Sequence, residues 1–593
     1  MMQNIQERIS ALRNEMKIND IAACIIPSSD PHASEYIADY WKEREWISGF
    51  NGSAGTVVIT QTRAALWTDS RYFLQAENQL KGSGIELMKE GLPETLSWTD
   101  WLAEELKNSE KVGINTQMFS YNTFNRLKNE LEKKGILMIS VDLIGKIWKN
   151  RPALPSQPFY IYDIRFAGET ASNKLASLRE QMKKNQADTF VISALDEIAW
   201  LFNIRGNDVD FNPVVIAYAM VELDKAILFV DPKKVTDKSA AFLQEQGITI
   251  EPYNDIYLQL NKLSANKRIW IDGSKLNAAL YEAIPSHCTV INSMSPVLKM
   301  KSVKNKIELE GTRQAMIRDG VALVKFFKWL EENLLSTEIS EISAAEKLLE
   351  FRQQQDNFVS ESFDTICGYA GHGAIVHYHA EPETDVVLKP ENLLLVDSGG
   401  QYFDGTTDIT RTIALGIPTQ QQKTDYTLVL KGHIALAKAK FPTNTRGSQL
   451  DILAHKWLWD NGLNYGHGTG HGVGHFLCVH EGPQNIRMDE NPAVLLPGMI
   501  VSDEPGLYRT NAYGIRIENL VHVVEDEKTE FGDFLCFETL TLFPYDHSLI
   551  ELSMLTEDEI NWMNSYQKKV LEKLSPYLNE EEKHWLQKKC VSL

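Results

Sequence analysis

Cysteine is scarce in this chain, and its spacing is irregular. The 593 residues include six cysteines, at positions 24, 288, 367, 478, 536 and 590. A disulfide-stabilised scaffold needs more of them at regular spacings, and a zinc ribbon needs close pairs. The pattern excludes both architectures and predicts a protein of the reducing cytoplasm.

Long apolar runs and an excess of positive charge are also missing. No stretch approaches the ~18 apolar residues of a transmembrane helix, and Met1-Met-Gln-Asn-Ile-Gln-Glu-Arg8 lacks the apolar centre of a secretory signal. The chain has 60 Lys and Arg against 80 Asp and Glu, for a formal net charge of −20. We therefore expect neither a membrane nor a nucleic acid as a partner.

The length exceeds what one hydrophobic core can organise and predicts about three to four domains. A short echo indicates an internal repeat: Leu12-Arg-Asn-Glu-Met16 returns as Leu178-Arg-Glu-Gln-Met182. Each copy reads as an amphipathic helix followed by a β-rich run. The sequence thus predicts a repeated α/β domain.

Proline marks the expected domain boundaries. A proline-rich link, Arg151-Pro-Ala-Leu-Pro-Ser-Gln-Pro158, separates the two copies, and Ser295-Pro296 precedes a basic helix start. We expect domains at 1–150, 151–300 and 301–530, with a partly helical extension at 531–593 that packs on the third domain.

Two pairs of acidic residues in the last third flank predicted turns. Asp397 closes the apolar run that starts at Asn392, and Asp408 opens a β-branched run. Both runs are typical of strands. A hairpin closing symmetrically about Tyr402–Phe403 would set the two Cβ atoms about 5 Å apart.

Glu504 and Glu518 lie in the same way around a predicted turn near Asn511-Ala-Tyr-Gly514. Four carboxylates crowded together in a partly dry site would repel one another by roughly several kcal/mol unless cations neutralise them. The sequence therefore predicts a metal site.

The donor types narrow the choice of metal. Carboxylate oxygens with one imidazole, from His471, and no thiolate favour manganese, cobalt, iron or zinc ions over a structural zinc. Four carboxylates exceed the needs of one divalent ion and suit two, about 3.5–4 Å apart, that hold a hydroxide and polarise a carbonyl. We expect two divalent ions, among which the donors alone do not choose; our first choice is Mn²⁺, with Co²⁺ or Zn²⁺ as alternatives.

The glycine-rich segment Gly466–Gly474 is not a phosphate-binding loop. It lacks the strict G-x-G-x-x-G spacing and has no G-K-[ST] ending. Glycine instead lets the backbone approach closely, which would bring His467 and His471 to a crowded centre.

Several motifs resemble the aminopeptidase P family, the Xaa-Pro aminopeptidases of the "pita-bread" metallopeptidases (M24B), in their long, three-domain cytosolic form. The motifs are Val396-Asp-Ser-Gly-Gly400, Thr407-Asp-Ile-Thr-Arg-Thr412, His467-Gly-Thr-Gly-His-Gly-Val-Gly474, Val479-His-Glu-Gly-Pro483, Ser502-Asp-Glu-Pro-Gly506 and Ile515-Arg-Ile-Glu-Asn519. Ser48–Gly55 and Leu195–Asn203 resemble signatures of the two preceding domains. The resemblance therefore covers nearly the whole chain.

The resemblance implies a fold of the α/β (α+β) class. Two creatinase-like α/β domains would precede a pita-bread catalytic domain, an antiparallel sheet flanked by helices. It also implies a homodimer, and Trp457 and Trp459 are candidates for the dimer contact. The implied substrates are peptides with proline in second position, from which the first residue is removed.

Matching the motifs residue by residue implies the metal ligands. Asp397 would bind one ion, His471 and Glu504 the other, and Asp408 and Glu518 would bridge both.

The same match places His377, His467 and His480 around the substrate. His480 would donate a hydrogen bond to the oxyanion, while His377 and His467 would line the proline pocket and hold the scissile carbonyl. Glu504 would be the general base. Arg516 would support the ligands or anchor a carbonyl, and Glu35 would meet the free amine of the substrate.

Two alternative functions stay open at this point. A prolidase, restricted to dipeptides, has the same five ligands, although the length and the doubled leading domain disfavour it. An inert pita-bread scaffold that only binds peptides would have lost its ligands, and all five residues are present here.

Overall fold

The computed structural model describes residues 2–593, without the side chains of the first two of these. It divides the chain into two compact units. The first holds the residues up to Ile164 together with Glu169–Val297, and the second holds Arg165–Gly168 and Leu298–Leu593. Within residues 2–593, no helix has both the length and the apolar character needed to cross a membrane.

Helices and strands alternate through the first half of the chain. The helices are α1 (Met2–Ile18), α2 (Glu43–Ser48), α3 (Phe73–Gln79), α4 (Trp98–Glu105), α5 (Tyr121–Lys133), α6 (Ile144–Ile147), α7 (Ile164–Ala167), α8 (Ala171–Lys184), α9 (Leu195–Leu201), α10 (Asp237–Glu245), α11 (Asp255–Asn261) and α12 (Ala278–Glu282). The strands are β1 (Ala23–Pro27), β2 (Thr56–Thr60), β3 (Ala64–Thr68), β4 (Glu86–Lys89), β5 (Lys111–Ile114), β6 (Leu137–Ser140), β7 (Tyr160–Ile161), β8 (Thr189–Ile192), β9 (Ile204–Arg205), β10 (Ala217–Glu222), β11 (Ala226–Val230), β12 (Ile248–Pro252), β13 (Arg268–Ile271) and β14 (Thr289–Asn292).

The first unit contains two six-stranded sheets with the same topology. Their orders are β4-β3-β2-β1-β5-β6 and β12-β11-β10-β8-β13-β14. In both sheets the second, third and fourth strands in this order pair antiparallel, and the outer pairs are parallel. The helices that carry the sequence echo, α1 and α8, each precede the central strand of their own sheet.

The second unit contains one helix of 28 residues and is rich in short strands. Its helices are α13 (Pro296–Ser302), α14 (Lys306–Asn333), α15 (Glu341–Gln353), α16 (Gln420–Ala437), α17 (Gly447–Trp459), α18 (Glu557–Leu574) and α19 (Glu580–Lys589). Its strands are β15 (Phe358–Glu361), β16 (Ile366–Tyr369), β17 (Leu393–Ser398), β18 (Gly400–Tyr402), β19 (Gly405–Thr406), β20 (Ile409–Ala414), β21 (Lys440–Pro442), β22 (Gly470–Gly472), β23 (Glu481–Ile486), β24 (Ile500–Asp503), β25 (Gly506–Arg509), β26 (Tyr513–Arg516), β27 (Asn519–Thr529) and β28 (Gly532–Thr539).

The strands of the second unit pair antiparallel throughout the described residues. They form the sheets β15-β18-β19, β16-β17-β20, β21-β28-β27-β24-β22-β23 and β25-β26. Helix α14 starts at a capping box in which Asn305 and Glu308 satisfy each other's backbone N–H groups. Its apolar face, including Val324 and Phe326, is buried in the core of this unit.

The end of the chain completes that same core. Val570, Leu574 and Leu586, from α18 and α19, are fully buried in the cluster that contains Val324. Arg411 fastens β20 to this region, because its guanidinium donates to the backbone oxygens of Glu518 (2.6 Å) and Phe543 (2.7 Å).

The register of the hairpin between the two aspartates differs from the symmetric one expected. Asp397 pairs with Thr410, two residues beyond Asp408, because the chain turns at Phe403–Asp404 between the short strands β18 and β19. Asp408 therefore lies diagonal to Asp397 on the same face rather than directly opposite. The second hairpin has the expected register: Gly506 lies opposite Arg516, which continues to Glu504 opposite Glu518.

Candidate metal centre

Three of the predicted ligands converge in the second unit, two of them next to strand ends and one within a short strand. Single ligand atoms of Asp408, His471 and Glu518 all lie within 4.8 Å of one another. Asp408 directly precedes β20, His471 is the middle residue of β22, and Glu518 lies between β26 and β27. Residues distant in sequence thus meet because antiparallel neighbours bring their strand ends together.

The other two predicted ligands adjoin these three. Glu504 Oε1 lies 3.4 Å from His471 Nε2, which is also 3.4 Å from Asp408 Oδ2. Asp397 is nine-tenths buried, and its Oδ2 accepts a hydrogen bond of 2.5 Å from Arg516. The structure therefore brings all five residues to one region.

The crowding of buried carboxylates in this cluster favours the binding of positive charge. Burial is the main cause that raises the pKa of Asp397, to about 6. Arg516 acts in the opposite direction, and the charge of Asp408 adds to the effect of burial. Burial and the charges of Asp408 and Glu504 raise the pKa of Glu518 well above its ordinary value. Burial would lower the pKa of His471, but its contact with Asp408 and the charge of Glu504 raise it to about 9.

These residues fit divalent cations by the chemistry of their donors. Hard carboxylate oxygens and one imidazole are suitable ligands for a transition ion. The buried Oδ1 of Asp397 has no hydrogen-bond partner within the part of the chain described, and such an oxygen requires a partner. More carboxylates are present than one ion needs, so the set suits two.

Glycine makes the approach of His471 possible. A Cβ on Gly470 would lie 2.0 Å from the carbonyl oxygen of Ser502, and one on Gly472 would lie 2.3 Å from that of Glu481. Any side chain at these positions would push β22 away from its neighbours. The two glycines therefore fix the strand that presents the imidazole.

A buried chain of hydrogen bonds connects Asp397 to His467. Arg516 donates to Asp397 and, over 2.7 Å, to the hydroxyl of Tyr508. That hydroxyl lies 2.7 Å from His467 Nε2. Burial lowers the pKa of His467 to about 4, so its ring is neutral at physiological pH.

The remaining predicted residues have different positions. The ring of His480 lies 4.3 Å from that of His471, nearly perpendicular to it. His377 is half-buried in a turn after β16, and the carbonyl of the preceding Val376 accepts a hydrogen bond of 3.3 Å from Arg516. Glu35 belongs to the first unit, where it is exposed.

Thr410 and Ser502 support the ligands and were not predicted. Thr410 donates to Glu518 over 2.8 Å, and Ser502 donates to Glu504 over 3.1 Å while accepting from the backbone N–H of His471. Each lies in a strand, two residues from a predicted ligand at the end of that strand, and this spacing places both side chains on the same face. That spacing is the signal that could have found them.

Models of known families match four consecutive stretches of the chain. They are the creatinase/prolidase N-terminal domain at residues 8–146 and, as a second form, at 150–308, metallopeptidase family M24 at 310–525, and the C-terminal region of that peptidase at 533–593.

Curated relatives are similar to the chain over nearly its full length. Xaa-Pro aminopeptidase 1 of Dictyostelium discoideum is 43% identical, with 99% of this chain and 97% of the relative covered. Aminopeptidase P2 of Arabidopsis thaliana is 43% identical, over 97% and 86%. The chain belongs to the Xaa-Pro aminopeptidases of metallopeptidase family M24.

A solved member of this family has the same fold. The X-prolyl aminopeptidase of Caenorhabditis elegans, described as a cytosolic enzyme with a di-nuclear active site, superposes with a TM-score of 0.95. It is 36% identical, and the match covers 99% of this chain and 100% of that one. The X-Pro aminopeptidase of Thermotoga maritima, 22% identical with a TM-score of 0.51 over 63% of this chain and 98% of its own, shares the fold alone.

These findings confirm the predicted family and fold class. The chain has two creatinase-like α/β domains followed by a pita-bread domain with antiparallel sheets and flanking helices.

Proposed function

We propose that this protein is a metal-dependent aminopeptidase that hydrolyses the first peptide bond of peptides whose second residue is proline. The observation that carries the proposal is the meeting of Asp408, His471 and Glu518 ligand atoms within 4.8 Å in a chain of this family. The nematode relative is described as having a di-nuclear active site, which supports two divalent ions as the cofactor.

Five side chains would hold the ions. We assign this role to Asp397, Asp408, His471, Glu504 and Glu518. When bound, the ions lower the pKa of a water molecule and draw electrons from the scissile carbonyl. The support for this assignment is the shared location of the five residues and their unmet need for positive charge.

Side chains of the protein would transfer the proton during hydrolysis. Glu504 is half-buried and held by Ser502, which directs one carboxylate oxygen toward His471. We assign it as the general base that accepts a proton and returns it to the prolyl nitrogen as this nitrogen leaves. His480, beside His471, is assigned as the donor to the carbonyl oxygen as negative charge develops there.

Other residues would bind the peptide. The neutral ring of His467, with His377, suits the apolar proline ring and the scissile carbonyl, and Arg516 keeps Asp397 in place. An Xaa-Pro bond is a tertiary amide without an N–H, so a pocket shaped for it is needed.

Finer properties are also proposed. We infer that Mn²⁺ is the native metal, with Co²⁺ or Zn²⁺ as substitutes, that the enzyme acts in the cytoplasm, and that it is a homodimer. The description of the nematode relative as cytosolic supports the location. We also propose the boundaries 1–150, 151–300, 301–530 and 531–593 for the domains.

Steady-state kinetics on Arg-Pro-Pro and on the dipeptide Gly-Pro would test the function. We expect the tripeptide to be cleaved after Arg, the rate to vanish after chelation, and Mn²⁺ to restore it. Glu504→Gln should lower kcat by about 10³-fold or more, because Glu504 is assigned both as a metal ligand and as the general base. Glu530→Gln, at an exposed glutamate, is the matched control.

Three outcomes would contradict the proposal. Full activity in protein free of transition metals would exclude the metal mechanism. Preference for Gly-Pro over Arg-Pro-Pro would favour a prolidase, and absence of hydrolysis with metal restored would favour an inert scaffold.

A further inference from the structure

Glu341 is a buried carboxylate outside the ligand set that binds a single segment of chain. Its side chain is fully buried at the start of α15. It accepts hydrogen bonds from the backbone N–H of Tyr369 (2.8 Å) and the hydroxyl of Tyr378 (2.7 Å), and both its oxygens lie 3.0 Å from His372 Nδ1. A buried carboxylate needs several such donors, and a helix N-terminus adds to its stabilisation.

All three partners lie on residues 369–378, the segment that contains His377. The rings of His372 and Tyr378 stack with centroids 4.5 Å apart, so the two side chains meet above the same carboxylate. One residue of the scaffold therefore fixes both ends of the segment.

Close backbone contacts hold the middle of the segment. A Cβ on Gly514 would lie 1.7 Å from the carbonyl oxygen of Gly373, and a Cβ on Gly368 would lie 2.8 Å from the Cα of Gly373. The segment is thus packed between β16 and β26, and β26 ends at Arg516, which donates to Val376. This arrangement leaves His377 little freedom of position.

We propose that Glu341, acting through His372 and Tyr378, is a positioning residue that places His377 against the bound peptide. The inference rests on the proposed function of His377 in peptide binding. The Glu341 network holds the peptide-binding turn, and Arg516 contacts both this turn and Asp397. Loss of the Glu341 network should weaken peptide binding without releasing metal.

The direct test is Glu341→Gln, which keeps the shape of the side chain and removes its charge. An amide cannot accept from all three donors, and a buried donor without a partner is costly, so kcat/KM should fall by about 10–100-fold, chiefly through KM. Metal content should be unchanged. Glu338→Gln, three residues earlier and exposed, is the matched control and should match the unmodified protein.

A double substitution distinguishes positioning from a general structural role. If Glu341 acts through His377, adding Glu341→Gln to His377→Ala should cost little beyond His377→Ala alone. Tyr378→Phe, which removes one hydroxyl and keeps the ring, provides the same test should Glu341→Gln fail to fold. Full additivity of the two losses, or loss of metal along with activity, would overturn the inference.

Hydrogen exchange provides a readout that is independent of activity. Amides across residues 369–378 should exchange at least 10-fold faster in Glu341→Gln than in Glu338→Gln. Equal exchange would overturn the inference even in an active enzyme. Failure of the unmodified protein to cleave Xaa-Pro peptides would instead overturn the proposed function and leave the exchange comparison intact.

Discussion

At the scale of single residues, Thr410 illustrates how a neutral side chain can orient a charged ligand. Its hydroxyl donates to Glu518 and accepts from Arg516 Nε over 3.2 Å, so it joins two groups of opposite charge. Supporting groups of this kind fix the direction in which a ligand presents its oxygen atoms.

We expect Thr410→Val to weaken metal binding by about 10-fold, because valine has the same shape but leaves Glu518 without this bond. Calorimetric titration of the metal-free protein with Mn²⁺ measures the change in metal affinity. Thr337→Val, at an exposed threonine, is the control. Identical affinities for the two variants would show that Thr410 has no part in orienting the ligand.

The five residues that meet at the candidate centre could be selected from sequence because each lies in a short, distinctive motif. Thr410 could have been found by its alternation with Asp408. Glu341 could not, because all of its partners are at least 28 residues away and no local pattern marks a buried carboxylate. Groups whose role depends on tertiary partners are those that sequence reasoning misses.

At the scale of elements, the two hairpins show what determines register. The predicted pairing of Glu504 with Glu518 has the observed register, because the turn between β25 and β26 lies close to Asn511, where it was predicted. The predicted pairing of Asp397 with Asp408 was wrong by two residues. Strands β18 and β19 pair beyond the main ladder and move the turn to Phe403–Asp404, and no residue pattern indicates this. Turn position therefore limits such predictions.

Strand β22 should tolerate no side chain at Gly470. Gly470→Ala brings a methyl group 2.0 Å from a backbone oxygen of β24, so β22 must shift and carry His471 with it. We expect loss of at least one bound metal ion, measured by elemental analysis. In Gly468→Ala the nearest atom would be 3.6 Å away, and this variant should keep its metal.

Glu538 on β28 joins two other elements. It accepts from Arg313 of α14 (2.7 Å) and lies 3.2 Å from His522 of β27. These contacts, with His522 first, hold the pKa of Glu538 far below its ordinary value. A depressed pKa in the folded state means stability that is present above about pH 4.5 and lost as the pH falls toward the folded value.

Glu538→Gln should therefore lower the free energy of unfolding at pH 7 by about 1 kcal/mol, a modest value because the side chain is partly exposed. The difference from the unmodified protein should shrink progressively below pH 4.5. Urea denaturation at a series of pH values measures it. A difference that stays constant down to pH 3 would contradict the linkage.

At the scale of the whole molecule, the sequence echo between α1 and α8 corresponds to two sheets of identical strand order. A match of a few residues was enough to predict the repeated domain, because the same order of elements follows each copy of the matched segment. Surface features are harder to read from sequence. Trp459, for example, is 42% exposed, which no pattern in α17 predicts.

Trp459, which is exposed on α17, is our candidate for the contact in the proposed homodimer. We expect Trp459→Glu to convert dimers to monomers, because a charge would be buried at the interface. Analytical ultracentrifugation measures the mass. Phe531→Glu, on a residue that is 84% exposed in the β27–β28 hairpin, should leave the mass unchanged. Dimers of Trp459→Glu would exclude this surface.

The anchoring of β20 by Arg411 has a consequence for biosynthesis. The strand that follows Asp408 is fastened to Phe543 and, over 3.1 Å, to the hydroxyl of Tyr566, and the core beneath it is completed by Leu586. Because these partners lie so late in the sequence, we expect the site to assemble only after the polypeptide has been synthesised at least as far as Leu586.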